Sequence, residues 1–355
     1  MNSAVQTAVV GVTGYAGAEL ARLLLHHPRL KGTPPVFAGR VDHQDQTRGG
    51  VPLCSIHPRL MDSHETGSLR VQPFSWELLE DLGVEVVFLA TPHEVSREAV
   101  PEARKRGLRV IDLSGAWRLE EAAHRVVYGF EDEGSATALQ TQSEAVYGMP
   151  ELHRSAIRDA DLVANPGCYS SSVILALKPL LAAGLVELGH GIVCDSKSGV
   201  SGAGKAANAK THFMYAADNL SAYAVFTHRH TGELLEQLGL DAEALTFTPH
   251  LLPIPRGILS TIYVRFIEPQ TNASIEKCYK DFYRTSPMVR LFGTTLPQIQ
   301  YSVHTCYADI GFNIAKDGYR AVIVSCLDNL LKGASGQAVQ NLNVMQGWGE
   351  AEGLE

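Results

Sequence analysis

One short segment, NPGCY at residues 165–169, holds the best candidate for a nucleophile in this sequence. Its proline and glycine predict a sharp turn between a strand and a helix, which would put Cys168 near the helix N-terminus. The free N–H groups of a helix N-terminus lower the pKa of a thiol and can stabilise an oxyanion on an attacked carbonyl group. We therefore expect Cys168 to supply a thiolate near neutral pH. The alternative is a small buried hydrophobic residue, which is how we interpret the other five cysteines.

A thiolate nucleophile needs a proton carrier, and His228 and His230 are the candidates. They stand in the run HRHTGE, residues 228–233, just before a helical stretch, with Arg229 and Glu233 beside them. Alternate residues of an extended segment point to opposite sides. We therefore expect one of the two imidazoles to reach the thiol, and the sequence does not decide which.

A glycine-rich turn, GVTGYAG at residues 11–17, lies between the first predicted strand and the first predicted helix. Gly11 and Gly14 permit a tight turn with close approach of a ligand, and Gly17 lets the helix pack against the strand. The helix N-terminus would then face a pyrophosphate group. The G-x-x-G-x-x-G spacing differs from G-x-G-x-x-G, so it is the position of the turn that predicts a dinucleotide site. A structural turn without a ligand is the alternative.

The end of the second strand distinguishes NAD from NADP. Sites for NAD usually place Asp or Glu there, to bind the ribose hydroxyls. This strand ends in FAGR, residues 37–40, without a carboxylate. Arg40 can pair with a 2′-phosphate through its planar guanidinium group. The sequence therefore predicts NADP(H) as cofactor, and a solvated surface arginine is the alternative.

Three further segments carry groups suited to an anionic ligand. Residues 196–205, which include Ser198, Gly199 and Lys205, follow a strand and suit an anion or the nicotinamide end of a cofactor. Their spacing departs from that of a P-loop, so we exclude a nucleoside triphosphatase. The other two segments supply Ser114 and Arg118 for a phosphate, and Arg256, in the rigid turn PIPRG, for a carboxylate. For each arginine, an ion pair or a surface position is the alternative.

Composition limits the classes of function. A chain of 355 residues usually forms two domains. The net charge is −8 and no basic cluster is present, which argues against nucleic-acid and membrane-surface partners. The sequence shows no signal peptide and no apolar run of the roughly 20 residues that cross a bilayer. The cysteines form no C-x-x-C pair, so we expect no metal and a reducing cytoplasm.

The two halves of the chain differ in their elements. Short apolar strands alternate with helices in the first half, which predicts a parallel sheet covered on both faces. Its strands are expected at 8–12, 36–38, 84–90, 109–113 and 162–165, and its helices at 16–26 and 95–106. After a helix at 170–183, longer strands indicate a mixed or antiparallel sheet at 192–195, 244–248, 260–267, 309–315 and 321–326. A last helix at 335–345 is expected to pack back on the first domain.

Taken together, the ordered motifs resemble the N-acetyl-gamma-glutamyl-phosphate reductase family over essentially the whole chain. They are GVTGYAG, ATPH at 90–93, DLSGAWRL at 112–119, YGMPEL at 147–152, NPGCYSSS, SGVSGAGK, HRHTGE, HLLPIPRG and DNLLKGASGQAVQNLN at 328–343. Gly232 stands where the family usually has proline, and residues 115–117, Gly-Ala-Trp, replace a more usual Ala-Asp-Phe.

The resemblance implies a fold, a reaction and partners. The fold is α/β, with a Rossmann-type dinucleotide-binding domain (1–165 and 327–355) and an α+β glyceraldehyde-phosphate-dehydrogenase-like domain with a mixed sheet (166–326). Cys168 would form a thioester from an acyl phosphate, releasing inorganic phosphate, and NADPH would reduce it to an aldehyde. A homodimer or homotetramer is expected. Alternatives are the same chemistry on carrier-linked aminoadipyl phosphate or aspartyl phosphate, and a non-catalytic dinucleotide sensor.

Three sets of site residues follow from the motifs and the resemblance. The catalytic residues are expected to be Cys168, His228 and His230. Cofactor contacts are expected from Gly11, Thr13, Gly14, Tyr15, Ala16, Gly17, Arg40, Thr91, Pro92, Ser198, Gly199 and Asn329. Substrate contacts are expected from Ser114, Arg118, Asn165, Lys205 and Arg256.

Overall fold

The computed structural model describes residues 5–40, 49–61, 68–130 and 135–355. These ranges form two sheets, one of eight strands and one of seven. Every predicted strand is present within them, with ends that differ from the sequence-based bounds by a few residues. This confirms the two-domain α/β class.

The first sheet is parallel apart from one edge strand. Its strands are β1 Thr7–Val10, β2 Val36–Gly39, β3 Val51–Pro52, β4 Arg70–Pro73, β5 Val86–Leu89, β6 Arg109–Asp112, β7 Ala145–Tyr147 and β8 Leu162–Ala164. They lie in the order β3-β4-β2-β1-β5-β6-β8-β7, and only β3 runs antiparallel to its neighbour. Strands β1 and β5 are buried along their whole length, because helices cover both faces. The carboxyl ends of the parallel strands therefore share one edge, where a ligand can bind.

Helices connect these strands and continue through the second half. They are α1 Tyr15–Leu25, α2 Leu53–Ile56, α3 Trp76–Asp81, α4 His93–Lys105, α5 Ala122–Arg125, α6 Ala136–Glu144, α7 Pro150–Asp159, α8 Cys168–Ala182, α9 Phe213–Ala216, α10 Thr231–Leu238, α11 Asn272–Phe282, α12 Ile299–Ser302 and α13 Gly336–Met345. No helix among the described residues is long and apolar enough to cross a membrane.

The second sheet is mixed, as the sequence predicts. Its strands are β9 Ile192–Gly199, β10 Ser221–Ala222, β11 Leu245–Leu252, β12 Ile258–Arg265, β13 Val289–Gly293, β14 Ala308–Ile314 and β15 Arg320–Leu327, in the order β10-β11-β9-β12-β15-β14-β13. The pairs β9–β11 and β13–β14 are parallel and the others are antiparallel. Helices α8, α10 and α11 share one hydrophobic core with the inner face. The outer face leaves Val193 and Tyr263 40% and 46% exposed.

The end of the chain returns to the first sheet, as expected. After β15 the backbone forms a π-helical turn, Leu331–Ser335, and then α13, which packs against α1 and α7. Leu342, Met345 and Leu354 belong to the same buried core as Val9 and Leu20. The exact domain boundaries given above stay a prediction.

Candidate active site

Cys168 is the first residue of helix α8, at the position that the sequence predicts. The backbone leaves β8, turns through residues 165–167, and enters the helix with Gly167 as its extended N-cap. Cys168 is partly exposed and lines a cavity of about 500 Å³. The helix N-terminus and the nucleophile therefore meet at one end of a space large enough for a small substrate.

The cavity joins the predicted catalytic residues with several that sequence reasoning missed. Ser198 and Gly199, predicted to contact cofactor, are also on its wall. The lining residues are Cys168, Tyr169, Ser198, Gly199, Gly202, Ala203, Asn208, Lys210, Thr211, Tyr215, Ser221, Ala222, Tyr223, His228, Arg229, His230 and Leu251. The 208–215 stretch was missed because its mostly exposed residues, polar and aromatic alike, show no periodic pattern.

Both histidines line the cavity, so the two side chains do not point to opposite sides as expected, and which imidazole reaches the thiol stays a prediction. Their ring centroids lie 4.7 Å apart at an interplanar angle of 83°. The reason is the backbone, which is a turn rather than an extended strand. The Thr231 N–H donates to the His228 carbonyl at 2.9 Å, and the His230 N–H donates to His228 Nδ1 at 3.1 Å.

The absence of a side chain at Gly167 makes room for His230. A Cβ atom on Gly167 would lie 2.5 Å from His230 Nε2. Gly333, in the π-helical turn, approaches the nucleophile in the same way, since its Cβ would lie 2.7 Å from Cys168 Cβ. These two glycines therefore allow the histidine turn and the C-terminal segment to approach the start of helix α8 closely.

Burial dominates the electrostatics of this site. It raises the pKa of the Cys168 thiol to about 11, although the backbone N–H of Tyr169 and the charge of Arg118 act in the opposite direction. The expectation of a thiolate near neutral pH in the free protein is therefore wrong, because desolvation outweighs the helix N-terminus. Burial also lowers the pKa of His228 to about 3 and holds the pKa of His230 well below its usual value. Both imidazoles are thus neutral at pH 7.

A buried carboxylate, Glu233, holds the turn before the nucleophile. It accepts hydrogen bonds from the Gly167 N–H at 2.9 Å and the Tyr147 hydroxyl at 2.7 Å. Its other oxygen is 3.0 Å from the guanidinium of Arg118, which is 8% exposed. Arg118, predicted to bind phosphate, is therefore neutralised by this carboxylate and is absent from the cavity wall.

The other predicted substrate residues also have protein partners. The hydroxyl of Ser114 donates to Asp112 at 2.7 Å. The amide of Asn165 donates to the Ala334 carbonyl at 3.1 Å. Both side chains are buried outside the cavity lining. Their role toward substrate stays a prediction.

Arg256 joins three parts of the molecule. Its guanidinium lies 2.6 Å from Glu19 on α1 and 2.9 Å from the buried Asp328 after β15. It is not among the residues that line the cavity. Arg256 was predicted to bind a substrate carboxylate, but in this structure it pairs with two carboxylates of the protein. Lys205 is exposed and donates to the Thr13 carbonyl at 3.1 Å, which places it beside the glycine-rich turn.

The glycine-rich turn has the geometry of a dinucleotide site. Gly11 has φ of +90°, and a Cβ there would lie 2.4 Å from the Ala90 carbonyl oxygen. A Cβ on Gly17 would lie 2.5 Å from the Gly11 oxygen. Helix α1 follows with no capping side chain and no acidic residue in its first turn, so its N–H groups suit an anion.

Three of the remaining predicted cofactor residues lie at the carboxyl ends of strands of the first sheet. Arg40 is exposed at the end of β2, and Thr91 and Pro92 follow β5 at the same sheet edge. The Asn329 side chain accepts from the Gly257 N–H at 2.7 Å and donates to Ser201 at 2.9 Å, which ties the C-terminal segment to the second domain. In the described part of the chain, no cluster of His, Cys, Asp or Glu could hold a metal ion.

Comparison with known proteins defines the class. Residues 6–160 match the family model described as semialdehyde dehydrogenase, NAD binding domain, and residues 168–329 match semialdehyde dehydrogenase, dimerisation domain. Aspartate semialdehyde dehydrogenase II of Vibrio cholerae, in complex with ASA, shares the fold with a TM-score of 0.70 at 18% identity, covering 97% of this chain and 98% of that one. The Candida albicans enzyme with NADP has a TM-score of 0.62 at 15% identity, covering 96% and 98%. The chain is an oxidoreductase of the semialdehyde dehydrogenase type.

More similar relatives narrow the assignment. N-acetyl-gamma-glutamyl-phosphate reductase of Pelotomaculum thermopropionicum is 42% identical over 357 residues, covering 99% of this chain and 98% of that protein. The reductase of Methanocaldococcus jannaschii is 39% identical, covering 98% and 97%. The chain belongs to the N-acetyl-gamma-glutamyl-phosphate reductase family, which confirms the resemblance drawn from its motifs.

Proposed function

We propose that this protein reduces N-acetyl-gamma-glutamyl phosphate to N-acetylglutamate 5-semialdehyde, with release of inorganic phosphate, in arginine biosynthesis. The observation that carries the proposal is a partly accessible Cys168 at a helix N-terminus, facing two neutral histidines in one cavity. The names and coverage of the relatives support the substrate.

The tautomers suggest which histidine takes the thiol proton. The His230 N–H donates to His228 Nδ1, so neutral His228 carries its own proton on Nε2 and is a donor. His230 Nδ1 is buried without a hydrogen-bond partner among the described residues. We therefore assign the base to His230. His228 then donates a hydrogen bond to the oxygen of the attacked group.

The reaction splits into two transfers at the acyl carbon. His230 removes the Cys168 proton, the sulfur attacks the carbonyl carbon, and the carbon–oxygen bond to phosphate breaks with its electrons on the phosphate. The Tyr169 N–H at the helix N-terminus stabilises the developing oxyanion. NADPH, when bound, supplies the hydride that reduces the thioester. The histidine then returns its proton to the departing sulfur.

The cofactor contacts stand as part of the proposal. The open N-terminus of α1 would hold the pyrophosphate beside Gly11, Gly14 and Gly17, and Arg40 would pair with the 2′-phosphate of NADP. Thr13, Tyr15, Ala16, Thr91, Pro92 and Asn329 would complete that site.

A reverse assay tests the substrate. The purified protein would receive NADP⁺, inorganic phosphate and N-acetylglutamate 5-semialdehyde, and NADPH formation would be followed at 340 nm. We expect turnover that vanishes without phosphate and in Cys168→Ser. Faster turnover of aspartate semialdehyde, or undiminished turnover by Cys168→Ser, would contradict the proposal.

Assembly and location complete the proposed function. The outer face of the mixed sheet is partly apolar, and the domain that contains it matches a dimerisation domain. A homodimer or homotetramer built on this face is the assembly we propose. All six cysteines are described and free, which agrees with a cytoplasmic enzyme.

A further inference from the structure

The cationic side chains near the thiol fall into two groups. In the first group, each cation has a carboxylate partner. Arg118 lies 3.0 Å from Glu233. Arg256 lies 2.6 Å from Glu19. Lys332 is fully buried and lies 2.7 Å from Glu151. None of these three cations lines the cavity. The charge of each is already balanced, so none is available to neutralise a substrate.

The second group consists of Lys210 and Arg229. Both line the cavity that contains Cys168. Neither has a carboxylate within ion-pair distance among the described residues. The cavity lining contains no Asp or Glu. Within the described part of the chain, the cavity wall therefore presents two positive charges without a carboxylate partner to whatever enters this space.

Arg229 lies between the two catalytic histidines in sequence and extends toward the first domain. Its guanidinium is 3.4 Å from His93 Nδ1, at the start of α4, and 5.8 Å from the ring centre of Tyr128. Because these contacts are weak, the planar guanidinium group remains able to form two parallel hydrogen bonds with a phosphate. Together with its place on the cavity wall, this leaves Arg229 able to bind an anionic group of a substrate.

Lys210 enters the cavity from the second domain. It lies in the helical turn Ala209–Thr211, where the N–H groups of Lys210 and Thr211 donate to the Asn208 side chain at 3.0 and 3.1 Å. This cap orders the backbone while the ammonium group stays exposed. A point charge on a flexible stem suits a carboxylate held away from the reacting atoms.

We propose that Arg229 binds the phosphoryl group of the substrate and that Lys210 binds its carboxylate. The inference rests on the proposed function and names the substrate class: an acyl phosphate with a second anionic group on the same small molecule. When the acyl carbon–oxygen bond breaks, its electrons pass to the phosphate oxygen, where Arg229 stabilises the charge. The two cations replace Arg118 and Arg256 as the substrate-binding pair.

The reverse reaction separates the two anions, because phosphate and the semialdehyde carboxylate are then different molecules. Arg229→Met is expected to raise KM for phosphate by about tenfold or more, with KM for the semialdehyde nearly unchanged. Arg229→Lys is expected to recover part of this loss. Lys210→Met is expected to raise KM for the semialdehyde and leave KM for phosphate unchanged. Lys280→Met, on the exposed face of α11, is the matched loss of a surface charge.

Alkylation of Cys168 supplies a readout that is independent of turnover. Inorganic phosphate is expected to slow iodoacetamide labelling of Cys168 in the unaltered protein and in Lys280→Met, but not in Arg229→Met. The assignment would be overturned if the KM values stayed unchanged, or if Arg229→Met raised KM for the semialdehyde and Lys210→Met raised KM for phosphate. It would also be overturned if Lys205→Met had the same effect as Lys210→Met. If the semialdehyde is not turned over at all, the proposed function fails, whereas loss of phosphate protection in Arg229→Met would still support the anion site.

Discussion

At the level of single residues, the thiol and the imidazoles of the site are uncharged before substrate binds. The raised pKa of Cys168 and the lowered pKa of His228 mean that a thiol and neutral imidazoles coexist at pH 7. An ion pair of thiolate and imidazolium would need more solvation than this cavity offers before substrate arrives. Proton transfer is thus expected to coincide with attack on the substrate.

The pH dependence of thiol labelling tests this arrangement. With the pKa near 11, the thiolate fraction of Cys168 in the ligand-free protein should increase about tenfold per pH unit between pH 7 and 10. Iodoacetamide labelling, resolved by peptide mass spectrometry, should follow the same slope. A plateau reached below pH 8 would show that the thiolate already exists at neutral pH.

At the level of elements, the turn that opens α8 depends on glycine rather than on a polar cap. Gly167 has no side-chain capping bond, and its N–H is instead held by Glu233. The ring of His230 occupies the space that a Cβ would need. The nucleophile and the base are thus positioned by the same residue.

Gly167→Ala tests this dependence. The added methyl group must displace His230 or shift Cys168, and a misplacement of about 1 Å costs on the order of a hundredfold in rate. We expect kcat to fall by about that factor, with far-ultraviolet circular dichroism unchanged. Gly349→Ala, where the nearest atom to the new Cβ is 3.6 Å away, is the matched control and should retain full activity. Equal activity in the two variants would contradict this role of Gly167.

Sequence reasoning predicts the elements well because each one is encoded locally. The buried apolar run of β5 and the NPGC turn are both visible within a few residues. Ion pairs are not local. Arg118 pairs with Glu233, 115 residues away in sequence, and Arg256 pairs with Glu19, 237 residues away. The sequence therefore cannot distinguish an arginine that has a carboxylate partner from one that has none. The same limit applies to Lys210. Its exposed loop shows no periodic pattern, and the sequence alone does not show that this residue lines the cavity.

At the level of the whole molecule, a buried ion pair ties the C-terminal segment to the first domain. Lys332 and Glu151 are both fully buried, 2.7 Å apart, and Gln340 bonds to each of them. Lys332 precedes Gly333, which lies against Cys168. This pair therefore links the YGMPEL motif, through the π-helical turn, to the nucleophile.

Removing one partner of this pair should be far more damaging than removing both. Lys332→Met leaves the Glu151 carboxylate buried and unpaired, which costs about 3–5 kcal/mol of unfolding free energy. Adding Glu151→Leu should restore a large part of that loss. Urea denaturation of the single and double variants measures both values. Strict additivity of the two single effects would contradict the coupling.

The return of the last helix has a consequence for biosynthesis. His27, at the end of α1, is hydrogen-bonded to Asn343 at 3.0 Å and to the Glu352 carbonyl at 2.9 Å, and Leu354 completes the core around Leu20. The N-terminal segment is made first, yet Leu342, Met345 and Leu354 complete its core. Part of that core therefore stays uncovered during synthesis until these residues have left the ribosome.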